Sequence, residues 1–146
     1  MLSTVLSQQE WRFHRTIEDH LSSIQQTATG AAIWRGDPKD ANTLWYSETG
    51  CLTLNQKDYD FSKEYRYVFS DHCCDIFFSD GVDNGKLFLH FLMNGSEATA
   101  THLCRQDRYQ ARIQFPTETR SQLILSYEVK GPKKDYHMVT SYRPNC

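Results

Sequence analysis

Apolar and polar residues alternate with a period of two through most of this chain. The alternation is clearest in residues 109–115, 123–129 and 136–142, and it also covers residues 11–17. A period of two is that of a β-strand with one face in a core and the other face in solvent. The pattern therefore predicts an all-β protein.

Turn-forming residues divide the chain into short segments. The Asp-Gly pair at 80–81 and the Asn-Gly pair at 84–85 are strong β-turn sequences. Within residues 43–54, Gly50 predicts a bend or a hairpin. Residues 18–29 are polar and predict a turn before Gly30. Only residues 2–9 predict a helix, and it is short.

These segments amount to about eight to ten strands with no helix between them, which favours an antiparallel meander over βαβ units. A meander of this size has two sheet edges, and closure into a barrel removes both. The sequence therefore predicts a single antiparallel β-barrel domain over residues 1–146, with its core in about residues 10–143. A two-sheet sandwich is the alternative.

Composition and charge exclude several classes of function. Charged residues make up 23% of the chain, the net charge is −2, and the basic residues are spread, so no nucleic-acid partner is expected. No apolar run is long enough to predict a membrane span, and the first residues do not resemble a signal peptide. The chain has 5 cysteines, of which Cys73 and Cys74 are adjacent, and this pattern favours a reducing, cytoplasmic location.

Two charged residues share a face with apolar neighbours in predicted strands. Arg15 shares a face with Phe13 and Ile17, and Glu48 shares a face with Tyr46. A buried guanidinium needs a carboxylate or an anionic ligand beside it. For Arg15, a place at the barrel mouth and a ligand contact are both open. For Glu48, the alternatives are a structural ion pair with Arg15 and a ligand contact.

The densest polar stretch is residues 101–109. His102 and Cys104 share one face there, and Asp107 and Tyr109 share a face at the start of the next strand. Their side chains can move protons or orient a polar ligand, with His102 and Asp107 as candidate catalytic bases. Structural roles are the alternative, such as a turn cap for Asp107.

Two more polar positions begin the last predicted strand, where Lys134 and Tyr136 share one face. Lys134 either reaches into the barrel mouth or stays in solvent. The chain lacks the paired Cys and His spacing of structural zinc sites and contains no phosphate-binding or nucleophile motif. The sequence therefore predicts neither a metal nor a cofactor.

Four motifs occur in order along the chain: Trp11-x-Phe13-x-Arg15-x-Ile17, Tyr46-x-Glu48-x-Gly50, His102-x-Cys104-x-x-Asp107-x-Tyr109 and Gly131-Pro132-x-Lys134-Asp135-Tyr136. Together they resemble the family known as domain of unknown function 6314, from about residue 10 to residue 143. Phe77-x-x-Asp80-Gly81 followed by Leu89-His90 resembles its central segment. Here residues 82–86 form a longer loop than is usual in the family, and Leu89 replaces the phenylalanine that usually precedes His90.

The resemblance implies a calycin-like, lipocalin-type barrel with a shared polar site, and it implies no reaction. We expect a small-molecule-binding barrel with an aromatic-walled pocket and a polar, partly cationic end that takes a polar or anionic ligand group. The expected ligand contacts are Arg15, Tyr46, Glu48, His90, His102, Cys104, Asp107, Tyr109, Lys134 and Tyr136.

Two other functions remain open. One is a cofactor-independent isomerase, cyclase or hydrolase, in which His102 or Asp107 is the general base and Tyr109 or Lys134 stabilises negative charge. The other is an interaction domain in which the polar motifs fix edges and turns. A homodimer is compatible with each of these functions.

Overall fold

Antiparallel strands follow one another through residues 2–145, the part of the chain that the computed structural model describes. A short helix, α1 (Leu2–Ser7), precedes them. The strands are β1 (Trp11–Asp19), β2 (Ile24–Gly36), β3 (Thr43–Leu54), β4 (Lys57–Phe69), β5 (Cys73–Phe78), β6 (Leu87–Asn94), β7 (Glu97–Cys104), β8 (Asp107–Gln114), β9 (Leu123–Gly131) and β10 (Lys134–Pro144). Among these residues no helix is long and apolar enough to cross a membrane.

The ten described strands close into a barrel. Each strand pairs with the next, and β1 pairs with β10 from Trp11 opposite Pro144 to Asp19 opposite Tyr136. The closed meander and the short helix confirm the predicted fold class, and the two-sheet sandwich is wrong. Closure satisfies the backbone groups of what would otherwise be two edge strands.

The turn predicted within residues 18–29 is present at residues 20–23, but the bend or hairpin predicted at Gly50 is wrong. Strand β2 runs straight through Gly30, and β3 runs straight through Gly50. The two glycines face each other in the β2–β3 register. A Cβ at Gly50 would lie 2.6 Å from the carbonyl oxygen of Thr29 and 2.9 Å from the ring of Phe13. Glycine is therefore needed here for close packing, and the β3–β4 turn is made instead by residues 55–56.

One end of the barrel, which we call the helix end, is closed by packed side chains. Leu6 of α1 is fully buried, and its carbonyl oxygen accepts a hydrogen bond from Nε1 of Trp11 at 3.1 Å. Trp34 and Phe115 are also buried in the core. The opposite end, which we call the far end, carries the β7–β8 and β9–β10 turns.

Candidate functional site

A cavity of about 240 Å³ lies inside the barrel. Aromatic rings form much of its wall, contributed by Tyr46, Phe61, Tyr65, Tyr67, Phe88, Tyr127 and Tyr142. Aliphatic side chains such as Ile17, Leu52 and Leu125 complete the apolar surface. Most of these residues occupy the inward positions of the period-two pattern, so the same alternation that builds the core also lines the cavity.

Phe88 reaches the cavity through an irregularity in β6. Ile76 of β5 pairs with Leu89, whereas the next residue, Phe77, pairs with Leu87, so Phe88 is an extra residue in the ladder. A β-bulge of this kind redirects side chains. Phe88 and Leu89 consequently both line the cavity, although they are adjacent in sequence.

A buried polar network forms one part of the cavity wall. The Arg15 guanidinium donates from Nη1 to Oε2 of Glu48 at 2.8 Å and from Nη2 to Oε1 at 2.9 Å. Its Nε donates to the hydroxyl of Thr140 at 2.8 Å. The side chains of Arg15 and Glu48 are only 12% and 2% exposed. The three donor nitrogens of Arg15 are thus occupied within the protein.

Two phenols extend this network. The Tyr46 hydroxyl donates to Oε1 of Glu48 at 2.6 Å, and it lies 2.9 Å from the hydroxyl of Tyr142. Because the proton of Tyr46 is directed to a carboxylate, Tyr142 is the donor in the second contact. Glu48 is therefore held by both Arg15 and Tyr46.

Burial sets the protonation of these groups. It raises the pKa of Tyr46 well above the ordinary value, and it raises the pKa of Tyr142 to about 12. Burial alone would lower the pKa of Arg15, but the hydrogen bonds and charge of Glu48 raise it overall. At neutral pH the site therefore contains an ion pair and protonated phenols.

The ion pair answers a question that the sequence left open. The carboxylate beside Arg15 is that of Glu48, so the two residues form the ion pair that was one of the alternatives for Glu48. A bidentate carboxylate neutralises a guanidinium and takes two of its five N–H donors. Arg15, Tyr46 and Glu48 all line the cavity, but Arg15 does not present a free cation to it.

A second group of predicted site residues lies together at the far end. We call it the far-end cluster: His102, Asp107, Tyr109, Lys134 and Tyr136. Lys134 Nζ is 3.1 Å from Oδ2 of Asp107, and the rings of His102 and Tyr109 have centroids 5.8 Å apart. Tyr136 is within hydrogen-bonding reach of Tyr109, and burial raises the pKa of Tyr136 to about 12.

The far-end cluster is separate from the cavity wall. None of its residues is among those that line the cavity. The ring centroid of Tyr109 is 6.2 Å from that of Phe88 and 6.3 Å from that of Tyr127, two residues that do line it. Cys104 faces Asp107 across the β7–β8 turn and is exposed. The described residues include no group of three or more His, Cys, Asp or Glu side chains placed to hold a metal ion.

His90 joins neither group. Its side chain is 50% exposed, and its Nδ1 contacts a carboxylate oxygen of Asp75 on the neighbouring strand. The adjacent Leu89 is buried and lines the cavity, so His90 is directed to the outer face. A ligand-binding role for His90 stays a prediction without a cavity contact to support it.

Sequence reasoning missed a charged residue on the cavity wall, Lys63. It lies opposite Glu48 in the β3–β4 register and lines the cavity. It also missed the hydroxyl-bearing rings of Tyr65 and Tyr127. The available signal was the spacing of Phe61, Lys63 and Tyr65, which places all three on one face of a strand.

The fold and the cavity define a calycin-like β-barrel with an internal, aromatic-walled chamber. The model of the Family of unknown function (DUF6314) matches residues 8–144, and the chain belongs to this family. This confirms the resemblance drawn from the sequence motifs. No curated protein matches the chain significantly.

Solved structures share the fold at low sequence identity. The S-type phycobiliprotein lyase from Guillardia theta is 9% identical with a TM-score of 0.64, over 94% of this chain and 88% of that one. The structure of EF1p2_mFAP2b bound to DFHBI is 14% identical with a TM-score of 0.50, over 99% of this chain and 100% of that one. At such identities the likeness is one of fold.

Proposed function

We propose that this chain is a small-molecule-binding protein whose ligand occupies the barrel cavity. The observation that carries the proposal is the aromatic-walled chamber of about 240 Å³ inside the barrel. Ligand sites are mostly apolar cavities with a few polar groups. Two proteins of similar fold add support, one solved bound to DFHBI and the other a phycobiliprotein lyase.

Two phenols supply directional contacts for such a ligand. Tyr65 and Tyr127 line the cavity, and burial raises the pKa of both, so each keeps its proton at neutral pH. Neither hydroxyl has a hydrogen-bond partner within residues 2–145. In contrast, Tyr46 and Tyr142 bond to each other. The ligand's polar atoms would therefore meet Tyr65 and Tyr127.

The catalytic alternative has no comparable support. The candidate bases, His102 and Asp107, are not among the cavity-lining residues, and Asp107 is paired with Lys134. We therefore propose binding rather than an isomerase, cyclase or hydrolase reaction. The cytoplasmic location and the homodimer stay predictions.

The test compares two phenylalanine substitutions on neighbouring residues of β2. Ala28 is 2% exposed and lines the cavity, whereas Thr29 is exposed on the outer face. Ala28→Phe inserts a ring into the cavity, and Thr29→Phe adds the same ring to the surface. Isothermal titration calorimetry with two isosteric bicyclic probes, 2-naphthoate and 2-naphthamide, measures binding to each variant.

We expect the wild type and Thr29→Phe to bind at least one probe with equal affinity. Ala28→Phe should bind it at least about tenfold more weakly. Thermal unfolding of each variant shows whether the fold is retained. Failure of the wild type to bind either probe, or undiminished binding by Ala28→Phe, would contradict the proposal.

A further inference from the structure

The charges on the cavity wall do not cancel. Three charged residues line the cavity: Arg15, Glu48 and Lys63. Arg15 and Glu48 form a bidentate pair and neutralise each other. Lys63 has no ion-pair partner in the part of the chain that the structure describes. The wall therefore carries one uncompensated positive charge.

The register shows why Glu48 does not neutralise Lys63 as well. The two residues are opposite each other on β3 and β4. However, the Glu48 carboxylate turns to Arg15 and also accepts the proton of Tyr46. Both carboxylate oxygens of Glu48 are consequently engaged by Arg15 and Tyr46.

The position of Lys63 gives it access to both cavity and solvent. On β4 it lies between Phe61 and Tyr65, which also line the cavity. The β4–β5 ladder begins only at Tyr65 opposite Phe78, so Lys63 precedes the paired region and is exposed. A lysine in such a place packs its aliphatic stem on apolar surface and keeps its ammonium group hydrated.

We propose that Lys63 is the anion-binding residue of the cavity and that the ligand is a largely apolar, aromatic molecule with one carboxylate. The inference rests on the proposed function and specifies its ligand class. A single ammonium group complements a single carboxylate, and charge-assisted hydrogen bonds are the stronger kind. The rings of the wall would cover the apolar part. Lys63 thus supplies the cationic end that the sequence predicted for the pocket.

The experiment uses the same two probes, which differ in charge and hardly in shape. Calorimetry gives the ratio of 2-naphthoate affinity to 2-naphthamide affinity for the wild type, Lys63→Met, Lys63→Arg and Lys130→Met. Lys130 is the matched control because it is an exposed lysine next to the inward-facing Val129 on β9. Its substitution removes the same net charge from a place outside the cavity.

We expect the wild type to prefer 2-naphthoate by about tenfold or more, the effect of a hydrogen bond between charged groups. The preference should disappear in Lys63→Met and persist in Lys63→Arg and Lys130→Met. Equal affinity of the wild type for both probes, with binding abolished by Ala28→Phe, would overturn this inference and leave the proposed function intact. Absence of binding by either probe would overturn both. A preference that Lys63→Met retains would also overturn the role of Lys63.

Discussion

The Arg15 guanidinium and the Glu48 carboxylate meet in a two-point contact that passes over strand β2. The paired distances are 2.8 Å and 2.9 Å, although the residues belong to β1 and β3. The inner face of the intervening strand carries Ala28, Gly30 and Ala32, which face β1 and β3 on either side. The pair therefore joins two strands that are not hydrogen-bonded to each other.

Removing one member of this pair should be more damaging than removing both. Glu48→Ala leaves a buried, unpaired guanidinium, and we expect it to lower the free energy of unfolding by about 3–5 kcal/mol. The Arg15→Met/Glu48→Leu double variant should lose less than Glu48→Ala alone. Urea denaturation measures both. Glu97→Ala, which breaks the exposed pair with Arg112, is the control and should have a much smaller effect. A double variant that loses as much stability as Glu48→Ala, or more, would contradict this prediction.

The glycine at position 50 should not tolerate a methyl group. Gly50→Ala would push a Cβ to 2.6 Å from the backbone oxygen of Thr29 and 2.9 Å from the Phe13 ring. We expect a loss of about 1–3 kcal/mol, as for other overpacked interiors. Gly36→Ala is the control because its Cβ would have no neighbour within 4 Å. Thermal unfolding of the two variants should show the difference. Equal melting temperatures would mean that β2 and β3 can move apart at this point.

The ion pair between Asp107 and Lys134 should contribute little to the free energy of unfolding. A side chain added at position 131 should nevertheless disturb this ion pair. Lys134 and Asp107 side chains are 47% and 23% exposed, so Lys134→Met should lower the free energy of unfolding by about 1 kcal/mol or less. The hydrogen bond with Asp107 raises the pKa of Lys134. A Cβ at Gly131 would lie 2.0 Å from Oδ1 of Asp107 and would displace the carboxylate.

Gly131→Ala should therefore lower the pKa of Lys134 towards its ordinary value of 10.5, as followed by NMR titration of the amine. Lys133→Met, at the adjacent exposed lysine, should leave the Lys134 titration as in the wild type. An unchanged Lys134 pKa in Gly131→Ala would show that Asp107 finds another path to the amine.

The buried phenols should make the protein sensitive to alkali. Burial raises the pKa of Tyr142 from 10.0 to about 12. Below pH 10 Tyr142 is protonated in both the folded and the unfolded state, and its contribution to the free energy of unfolding has its full value. Between pH 10 and 12 the unfolded state releases the proton while the folded state keeps it, so stability falls with rising pH. Tyr142 accounts for about 2–3 kcal/mol of the resulting loss in the free energy of unfolding.

Tyr142→Phe should make this decline shallower. The urea midpoint of unfolding is measured from pH 9 to pH 12, where pH 12 is about the pKa of Tyr142 in the folded protein. Tyr59→Phe removes a hydroxyl from a residue that is 49% exposed and serves as the control. A decline of the same steepness in Tyr142→Phe and the wild type would assign the alkaline sensitivity to other groups.

Much of the fold follows from local pattern. Strands β1, β8, β9 and β10 were predictable because large apolar side chains alternate with polar ones on each. The first half of β2 was missed because Gln25, Gln26 and Thr27 give no apolar period there. These residues are in a strand because β1 and β3 supply hydrogen bonds on both sides. The length of β2 therefore depends on its two neighbouring strands and not on its own sequence pattern.

The site was predictable only where a charge interrupted an apolar face. Arg15 and Glu48 were visible in this way, and both line the cavity. Lys63 also lies on such a face, between Phe61 and Tyr65, but it was overlooked because the first half of β4 is mostly exposed and polar. The members of the far-end cluster were predicted as ligand contacts, but none of them is among the residues that line the cavity. Alternation shows which way a side chain points but not its height along the barrel.

The sequence by itself determined the all-β class, the antiparallel order and the inward faces, because these depend on a repeat that neighbouring residues carry. Tertiary structure alone decided which inward positions pack into a core and which enclose a cavity, since both present the same alternation. It also decided the charges: Glu48 neutralises Arg15, its partner two strands away, and leaves Lys63 uncompensated on the cavity wall. Such pairing depends on strand register, closure and side-chain reach, none of which a local pattern contains.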